Sequence, residues 1–241
     1  MVDEKAEILA MKQVTLVSLV RRFIEREIRA GRIAVDQKVK EAVIARELSV
    51  SRGPVREACN QLTEAGWLVS VPQRGSFVRR ISYKEAMDIY EVRIALAGTV
   101  AAGAAERASE AQIDSIRSLV PKMWAANSAV DIDAINDLTE AFHTTLVDIT
   151  GNETLAKTYL ALLSAHRLFR VGAIQKLGNF DELVTENNRE AIVAREELIE
   201  AVSSCDASRA ARLYVKYFED SRRRSLERFS EAFSFEQDQT A

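Results

Sequence analysis

The sequence predicts a mainly helical chain in two parts: three helices closed by a two-stranded hairpin, then an all-helical antiparallel bundle of about six helices. Three observations carry this. Only 9 Gly and 3 Pro interrupt 241 residues rich in Ala, Leu, Glu and Arg, the composition of long helices. Extended patterning is confined to 68–71 and 76–79, and helical periodicity resumes after it. Charge divides at the same place. Residues 1–80 hold 15 Lys and Arg against 10 Asp and Glu, while 81–241 hold 18 against 26, within an overall net of −3. A basic front and an acidic rear mean that only the front meets a polyanion. The 47% hydrophobic content supplies real cores, and the length fits two domains, 1–80 and 81–241.

Each element of the front has its own signal. Leu16, Leu19, Val20, Phe23, Ile24 and Ile28 recur at helical spacing as an inner stripe, and Gly31 stops that helix. A short second helix is expected over 41–48, with Val43, Ile44 and Leu48 as its apolar set. Next comes Ser49-Val50-Ser51-Arg52-Gly53-Pro54-Val55-Arg56-Glu57-Ala58. Ser51 is placed to cap a third helix, and Pro54 falls in its first turn, where a missing N–H matters little. Val55, Leu62 and Trp67 form the inner contacts of that helix, and Pro72-Gln73-Arg74-Gly75 turns the hairpin.

Three helices ending in a small hairpin make a winged helix-turn-helix, whose third helix enters the DNA major groove by its N-terminal turn. Arg52 and Arg56 lie one turn apart and address the same stretch of DNA, because a guanidinium fork reads guanine edges and grips phosphate. Arg74 beside Gly75 at the hairpin tip allows close approach to a minor groove or backbone.

The run from Ala45-Arg46-Glu47-Leu48 through Ala58, with Leu62, Glu64, Gly66 and the Arg74-Gly75 wing, closely resembles the signature of GntR regulators. The resemblance covers the first third of the chain. It implies DNA contacts from Ser51, Arg52, Gly53, Arg56 and Gly75, with Arg74 next to the glycine. Three positions depart from the pattern: Val35-Asp36 stands for the common Pro-Gly, Ala42 for an arginine of some members, and Cys59 for the usual leucine. Cys59 reads as a core residue rather than a redox switch. These departures touch the operator sequence, not DNA binding.

In the rear, Ser82-Tyr83-Lys84-Glu85 is a capping-box pattern opening a long helix with Met87, Tyr90, Ile94, Ala97 and Ala101 inward. Ser109-Glu110-Ala111-Gln112 opens another, expected to run to about 127. Further helices are expected over 133–150, 154–177, 181–203 and 206–233, punctuated by Gly151-Asn152 and Gly178-Asn179. The phrases Tyr90-Glu91-Val92-Arg93-Ile94-Ala95-Leu96, Ala104-Ala105-Glu106-Arg107-Ala108 and Phe142-His143 resemble the FCD effector domain. With them the chain is identified as a member of the FadR subfamily of GntR regulators, although Ala97 and Gly98 stand where a glutamate usually follows Leu96. The resemblance implies a homodimer that binds double-stranded operator DNA and a small organic-acid effector, often beside a divalent metal.

The metal pattern is where this chain departs most. The four ligand positions fall on Thr139, His143, Arg195 and Tyr217, so only one ligand survives. Glu140 with His143 is a weak pair at best, and His143 and His166 are the only histidines, so no metal and no cofactor are expected. Arg195 shares a helical face with Ile192, Ile199 and Val202 and therefore points inward, where an unpaired guanidinium is costly. Its partner is a protein carboxylate or the carboxylate or phosphate of a ligand, and an arginine takes over the charge role of a lost cation. The proposed effector set is Arg195, Tyr217, His143 and Thr139, with Arg93 and His166 as further members of the same set. His166 has an alternative as a packed, hydrogen-bonded side chain, and Arg222-Arg223-Arg224 reads as a solvated face.

Residues 1–12 are charged without an apolar signal core, no run approaches the about 20 apolar residues that span a bilayer, and Cys59 and Cys205 match no metal or redox spacing. A cytoplasmic protein without membrane contact is expected. No nucleophile–base pair, phosphate loop or paired carboxylates argue for an enzyme. The competing reading for the rear is a dimerisation platform that has lost sensing.

Overall fold

The computed structural model describes residues 4–177 and 181–233. It divides into two compact units, Met1–Ile81 with Arg167–Gln175, and Ser82–His166 with Lys176–Ala241. In the first, α1 (Glu4–Arg29), α2 (Glu41–Glu47) and α3 (Arg52–Glu64) precede the strands β1 (Leu68–Val71) and β2 (Gly75–Val78). The strands pair antiparallel, with Leu68 opposite Val78 and Val71 opposite Gly75.

Val17, Val20, Ile24 and Ile28 of α1 meet Val55, Ala58, Cys59 and Leu62 of α3, with Trp67 closing the core. Two expected inner residues lie outside it: Leu19 is 51% exposed and Val43 46% exposed. The buried line of α1 runs through 17, 20, 24 and 28, so the stripe is narrower than apolar content alone indicates. Ser51 occupies the N-cap of α3 as expected, but its hydroxyl makes no capping bond. Of the two N–H groups that a cap hydroxyl can accept from, the third-residue one is missing here, because that residue is Pro54.

Asp36 adopts a φ of +65°, the left-handed conformation that glycine takes most readily and Asp more readily than most residues. Its carboxylate accepts from Arg80 Nε at 2.6 Å. Residues on either side of Lys38 bond to β2, with Val39 N–H donating to Ser76 O at 2.9 Å and Val78 N–H to Gln37 O at 3.0 Å, so one edge of the hairpin is covered. Pro72 with Gln73 at φ +60° and Arg74 N–H donating to Val71 O fits a type II turn.

The second unit is all-helical among the described residues, from α4 (Tyr83–Arg107) through α5 (Glu110–Arg117), α6 (Leu119–Ser128), α7 (Ile132–Ile149), α8 (Glu153–Leu177) and α9 (Asp181–Ser203) to α10 (Ala207–Phe233). Residues 153–166 of α8 belong to this unit. Ser82 accepts from Glu85 N–H at 3.1 Å, and Ser109 with Gln112 makes the full reciprocal box. The single helix expected over 109–127 is two, broken at Ser118. Pro121 in the first turn of α6 cannot donate to the Arg117 carbonyl, and its ring would clash with it. That break turns the expected six helices into seven. The Gly178-Asn179 punctuation lies outside the described residues.

α4 runs through the unit against α7, α9 and α10. Its buried face is Ala86, Ile89, Tyr90, Arg93, Ala97, Val100, Ala101 and Ala104, with Met87 and Ile94 only half-buried. The inner stripe is thus turned from the expected one, and the turn puts Arg93 inside. Gly98 faces α10, where a Cβ would meet Val215 Cγ2 at 3.6 Å. No helix among the described residues is long and apolar enough to cross a membrane.

Candidate nucleic-acid face and buried arginine site

The N-terminal turn of α3 is an open donor surface. Ser51, Arg52, Gly53 and Arg56 are all exposed, and neither arginine takes part in an ion pair among the described residues. The Ser51 hydroxyl, which makes no capping bond, joins the unsatisfied N–H groups at the helix start. A Cβ at Gly53 would meet only Ser51 Oγ at 3.9 Å, so nothing inside the molecule requires glycine there. Such a helix start, with mobile cations beside it, suits a phosphate oxygen.

At the hairpin, Arg74 is exposed with its guanidinium 5.5 Å from the Phe77 ring centre. Gly75 has φ +95°, and a Cβ there would lie 3.2 Å from Lys38 Cε. Lys38 therefore adds a cation at the tip. Sequence reasoning missed it because it lies outside the hairpin, and only its pairing opposite Phe77 brings it there.

In the second unit four expected residues meet around one aromatic cluster. Arg195 of α9 is 4% exposed and donates from Nη2 to the Tyr217 hydroxyl of α10 at 2.7 Å. Its guanidinium lies 5.6 Å from the Phe142 ring and 5.3 Å from the Tyr217 ring. His143 of α7, 1% exposed, has its ring 5.8 Å from both Tyr217 and Phe218. Its Nδ1 shares a 2.6 Å hydrogen bond with Tyr214, whose hydroxyl shares a 2.5 Å bond with Tyr159 of α8. Arg93 of α4, 2% exposed, sits 4.3 Å from the Phe218 ring centre.

No carboxylate pairs with Arg93 or Arg195 among the described residues, and Nε of each is buried without a hydrogen-bond partner. The tyrosines do not supply the missing charge. Burial pushes the Tyr159 hydroxyl up to about 12, against a smaller opposing pull from Arg93. Burial, reinforced by Tyr159, holds Tyr214 well above the ordinary tyrosine range. Both stay neutral at physiological pH.

Neither Thr139 nor His166 hydrogen-bonds Arg195 or Tyr217 among the described residues. Thr139 is half-buried on α7. His166 bonds through Nε2 to the Tyr90 hydroxyl at 2.7 Å, which also meets Ser225 at 2.9 Å and Ser221 at 3.1 Å. Tyr159 and Tyr214 are the members that sequence reasoning missed: as aromatics on apolar stripes they are indistinguishable from packing residues.

A divalent cation does not fit these residues. No group of three or more His, Cys, Asp or Glu among the described residues could hold one, and Arg195, a donor-only cation, bonds Tyr217 between two of the four expected ligand positions. Between α9 and α10 a surface cleft of about 330 Å³ carries Tyr217 on its wall, with the cations Arg189, Lys216, Arg223 and Arg224 and the carboxylates Glu186, Glu190, Glu197 and Asp220 around it.

Two family models match the chain: the gntR family of bacterial regulatory proteins over residues 16–78, and the FCD domain over 88–220. Among curated proteins, the Nta operon transcriptional regulator of Aminobacter aminovorans is 31% identical over 56% of this chain and 63% of its own length. A probable D-xylose utilization operon transcriptional repressor of Paenarthrobacter nicotinovorans is 30% identical over 63% of this chain and 67% of its own. The matched stretch thus spans about two thirds of those relatives. Among solved structures, Escherichia coli McbR/YncC superposes with a TM-score of 0.72 at 18% identity, over 86% of this chain and 94% of that one. A GntR regulator from Rhodococcus sp. RHA1 gives 0.71 at 18% identity, over 88% and 97%. These two establish likeness of fold.

Proposed function

Since the chain belongs to the GntR family of bacterial regulatory proteins and carries an FCD domain, we propose that it is an operator-binding transcription regulator controlled by a small organic acid, held without metal in its helical domain. Residues 1–80 form the DNA-binding domain and 81–241 the effector-binding and dimerisation domain. A homodimer presents two third helices to half-sites of a near-palindromic operator. Ser51, Arg52, Gly53 and Arg56 hold the major groove and its phosphates, and Arg74 and Gly75 the wing contact. Repression is the sign favoured by the names of relatives.

The observation that carries the effector reading is Arg195: buried, without a carboxylate partner among the described residues, and hydrogen-bonded to the Tyr217 hydroxyl. A buried guanidinium left so is costly, and a ligand carboxylate in its fork removes that cost. Tyr217 and His143 donate or accept beside it. The polar chain from Tyr159 through Tyr214 to His143, in a domain that also buries Arg93 and Arg195, speaks against a degenerate, merely apolar platform. Binding shifts the population between arrangements of the two DNA-binding domains, with residues 79–82 as the hinge.

Native mass spectrometry of the protein as purified, without chelator, tests this. The expected species is a dimer carrying a small organic adduct and no metal, with the adduct absent from Arg195→Ala. A stoichiometric metal, or an adduct unchanged in Arg195→Ala, refutes the reading.

A further inference from the structure

We propose that the ligand is a dicarboxylate, with one carboxylate on Arg195 and the other on Arg93, spanning the His143 ring; this rests on the reading of Arg195 as the anchor of an organic acid. The two guanidiniums share one aromatic cluster but lie on different rings. Arg195 lies against Phe142 and Tyr217, and Arg93 against Phe218. His143 is in ring contact with all three, at 5.6 to 5.8 Å, which makes it the middle of the cluster.

Charge accounting then decides the ligand class. Both arginines are buried, and neither has a carboxylate partner among the described residues. Ala97, one turn along α4 from Arg93 and fully buried, contributes none either. A ligand with one negative charge leaves a second guanidinium uncompensated in a low-dielectric setting, whereas two carboxylates neutralise both. Because Arg195 lies against Phe142 and Tyr217 and Arg93 against Phe218, two carboxylates separated along a ligand suit the pair, and a compact dianion is the alternative that titration decides. The cleft between α9 and α10 meets this site at Tyr217, the hydrogen-bond partner of Arg195, and an entering ligand passes both its cations and its carboxylates Glu186, Glu190, Glu197 and Asp220. Entry exchanges the Tyr217 hydroxyl for the first carboxylate, and the second continues inward past His143.

Calorimetric titration of the full-length protein tests this with succinate, glutarate and adipate. Butyrate and valerate serve as singly charged controls, and inorganic phosphate as the compact dianion. At least one dicarboxylate is expected to bind about tenfold or more tighter than the monocarboxylate of equal length. Arg93→Gln should erase that margin while leaving monocarboxylate affinity within about twofold, and Arg93→Lys should restore much of it. Arg195→Gln should weaken every probe.

Equal affinity for succinate and butyrate, and for glutarate and valerate, overturns the two-charge assignment and leaves the Arg195 anchor standing. Phosphate binding as tightly as the best dicarboxylate overturns the separated-charge geometry. Parallel loss of both ligand types in Arg93→Gln makes that arginine structural, and no measurable dicarboxylate binding also overturns the proposal. Unchanged binding in Arg195→Gln overturns the underlying reading instead. Should Arg93→Gln fail to fold, as a circular dichroism melt would reveal, the wild-type ratio of dicarboxylate to monocarboxylate still decides.

Discussion

Arginine does opposite work in the two units. At the start of α3, Arg52 and Arg56 lie in water without ion pairs, and leaving them so costs nothing, because solvent screens each charge. Around Phe218, Arg93 and Arg195 are 2% and 4% exposed and equally without a carboxylate. There the same absence is expensive. Under the proposed function, the contrast separates two ways of waiting for an anion. A surface cation waits in solvent and binds a polyanion through salt-sensitive contacts, whereas a buried cation is destabilised until a specific small anion arrives.

The largest expected effect tests whether the buried arginines depend on their aromatic floor. Phe218 is 1% exposed and carries Arg93 on its face. Phe218→Ala should lower stability by about 3–5 kcal/mol in chemical denaturation, since a cavity opens and Arg93 loses its cation–π partner. A loss below about 1 kcal/mol would mean that the ring is not the support described.

The next effect has the opposite sign. Arg195→Met, of similar length, removes a buried charge that has no carboxylate partner among the described residues. In ligand-free protein it should raise stability by about 1–4 kcal/mol, less the lost hydrogen bond to Tyr217. Arg56→Met at the surface should stay within about 0.5 kcal/mol of wild type. If Arg195→Met destabilises by several kcal/mol, Arg195 is a structural residue and the contrast between the units collapses.

The exposed site was legible from sequence and the buried one only in part, for a physical reason. A helix start with Pro54 in its first turn and two arginines one turn apart is set by neighbours in the chain, so spacing alone exposes it. The fold was legible on the same terms, with errors where local signals compete. The helix over 109–127 broke because Pro121 outweighs good helix formers, and Leu19 lay outside because apolar character does not fix facing. Inward pointing of Arg195 followed from period 3.6. The contact of Tyr159 on α8 with Tyr214 on α10 did not, since it depends on how helices 55 residues apart are placed. Ala97, where the FCD pattern has a carboxylate, was visible as a departure, but its meaning came only with the burial of Arg93 beside it.

Arg52→Ala sharpens the solvent side of the contrast. It should weaken operator binding by about 1–3 kcal/mol in fluorescence anisotropy, leaving the thermal melt unchanged. If Arg52 holds a phosphate, the slope of log affinity against log salt becomes shallower by about 0.9. An unchanged affinity removes Arg52 from the interface.

On the buried side, alkaline titration gives a smaller signal. Tyr159 is raised from its ordinary value near 10 to about 12 in the folded chain. The unfolded chain therefore loses that proton first, so this contribution to stability is complete below about pH 10 and declines as pH rises toward 12. Stability against pH for Tyr159→Phe should be flatter than wild type over that window. An equal slope would mean that the hydroxyl is not held in low dielectric. In the first unit Cys59 is raised to about 12, chiefly by burial, so thiol labelling at neutral pH should modify exposed Cys205 and spare Cys59.

The smallest stability effect is also the cleanest separation of folding from recognition. Gly53 lies in the first turn of α3 with no need for a left-handed backbone, and a Cβ there meets only Ser51 Oγ at 3.9 Å. Packing inside the protein gives no reason for glycine, and helix propensity argues against it. Gly53→Ala should therefore raise stability by about 0.5–1 kcal/mol. If the helix start seats a phosphate against its N–H groups, the added methyl occupies the approach, and operator affinity must fall while stability rises. Gly75→Ala is the control with the other signature, because its φ of +95° and the nearby Lys38 make a side chain strained whether or not DNA binds. A Gly53→Ala protein that gains stability and keeps full operator affinity would show that DNA does not approach the start of α3 closely. Recognition would then rest on the reach of Arg52 and Arg56 alone.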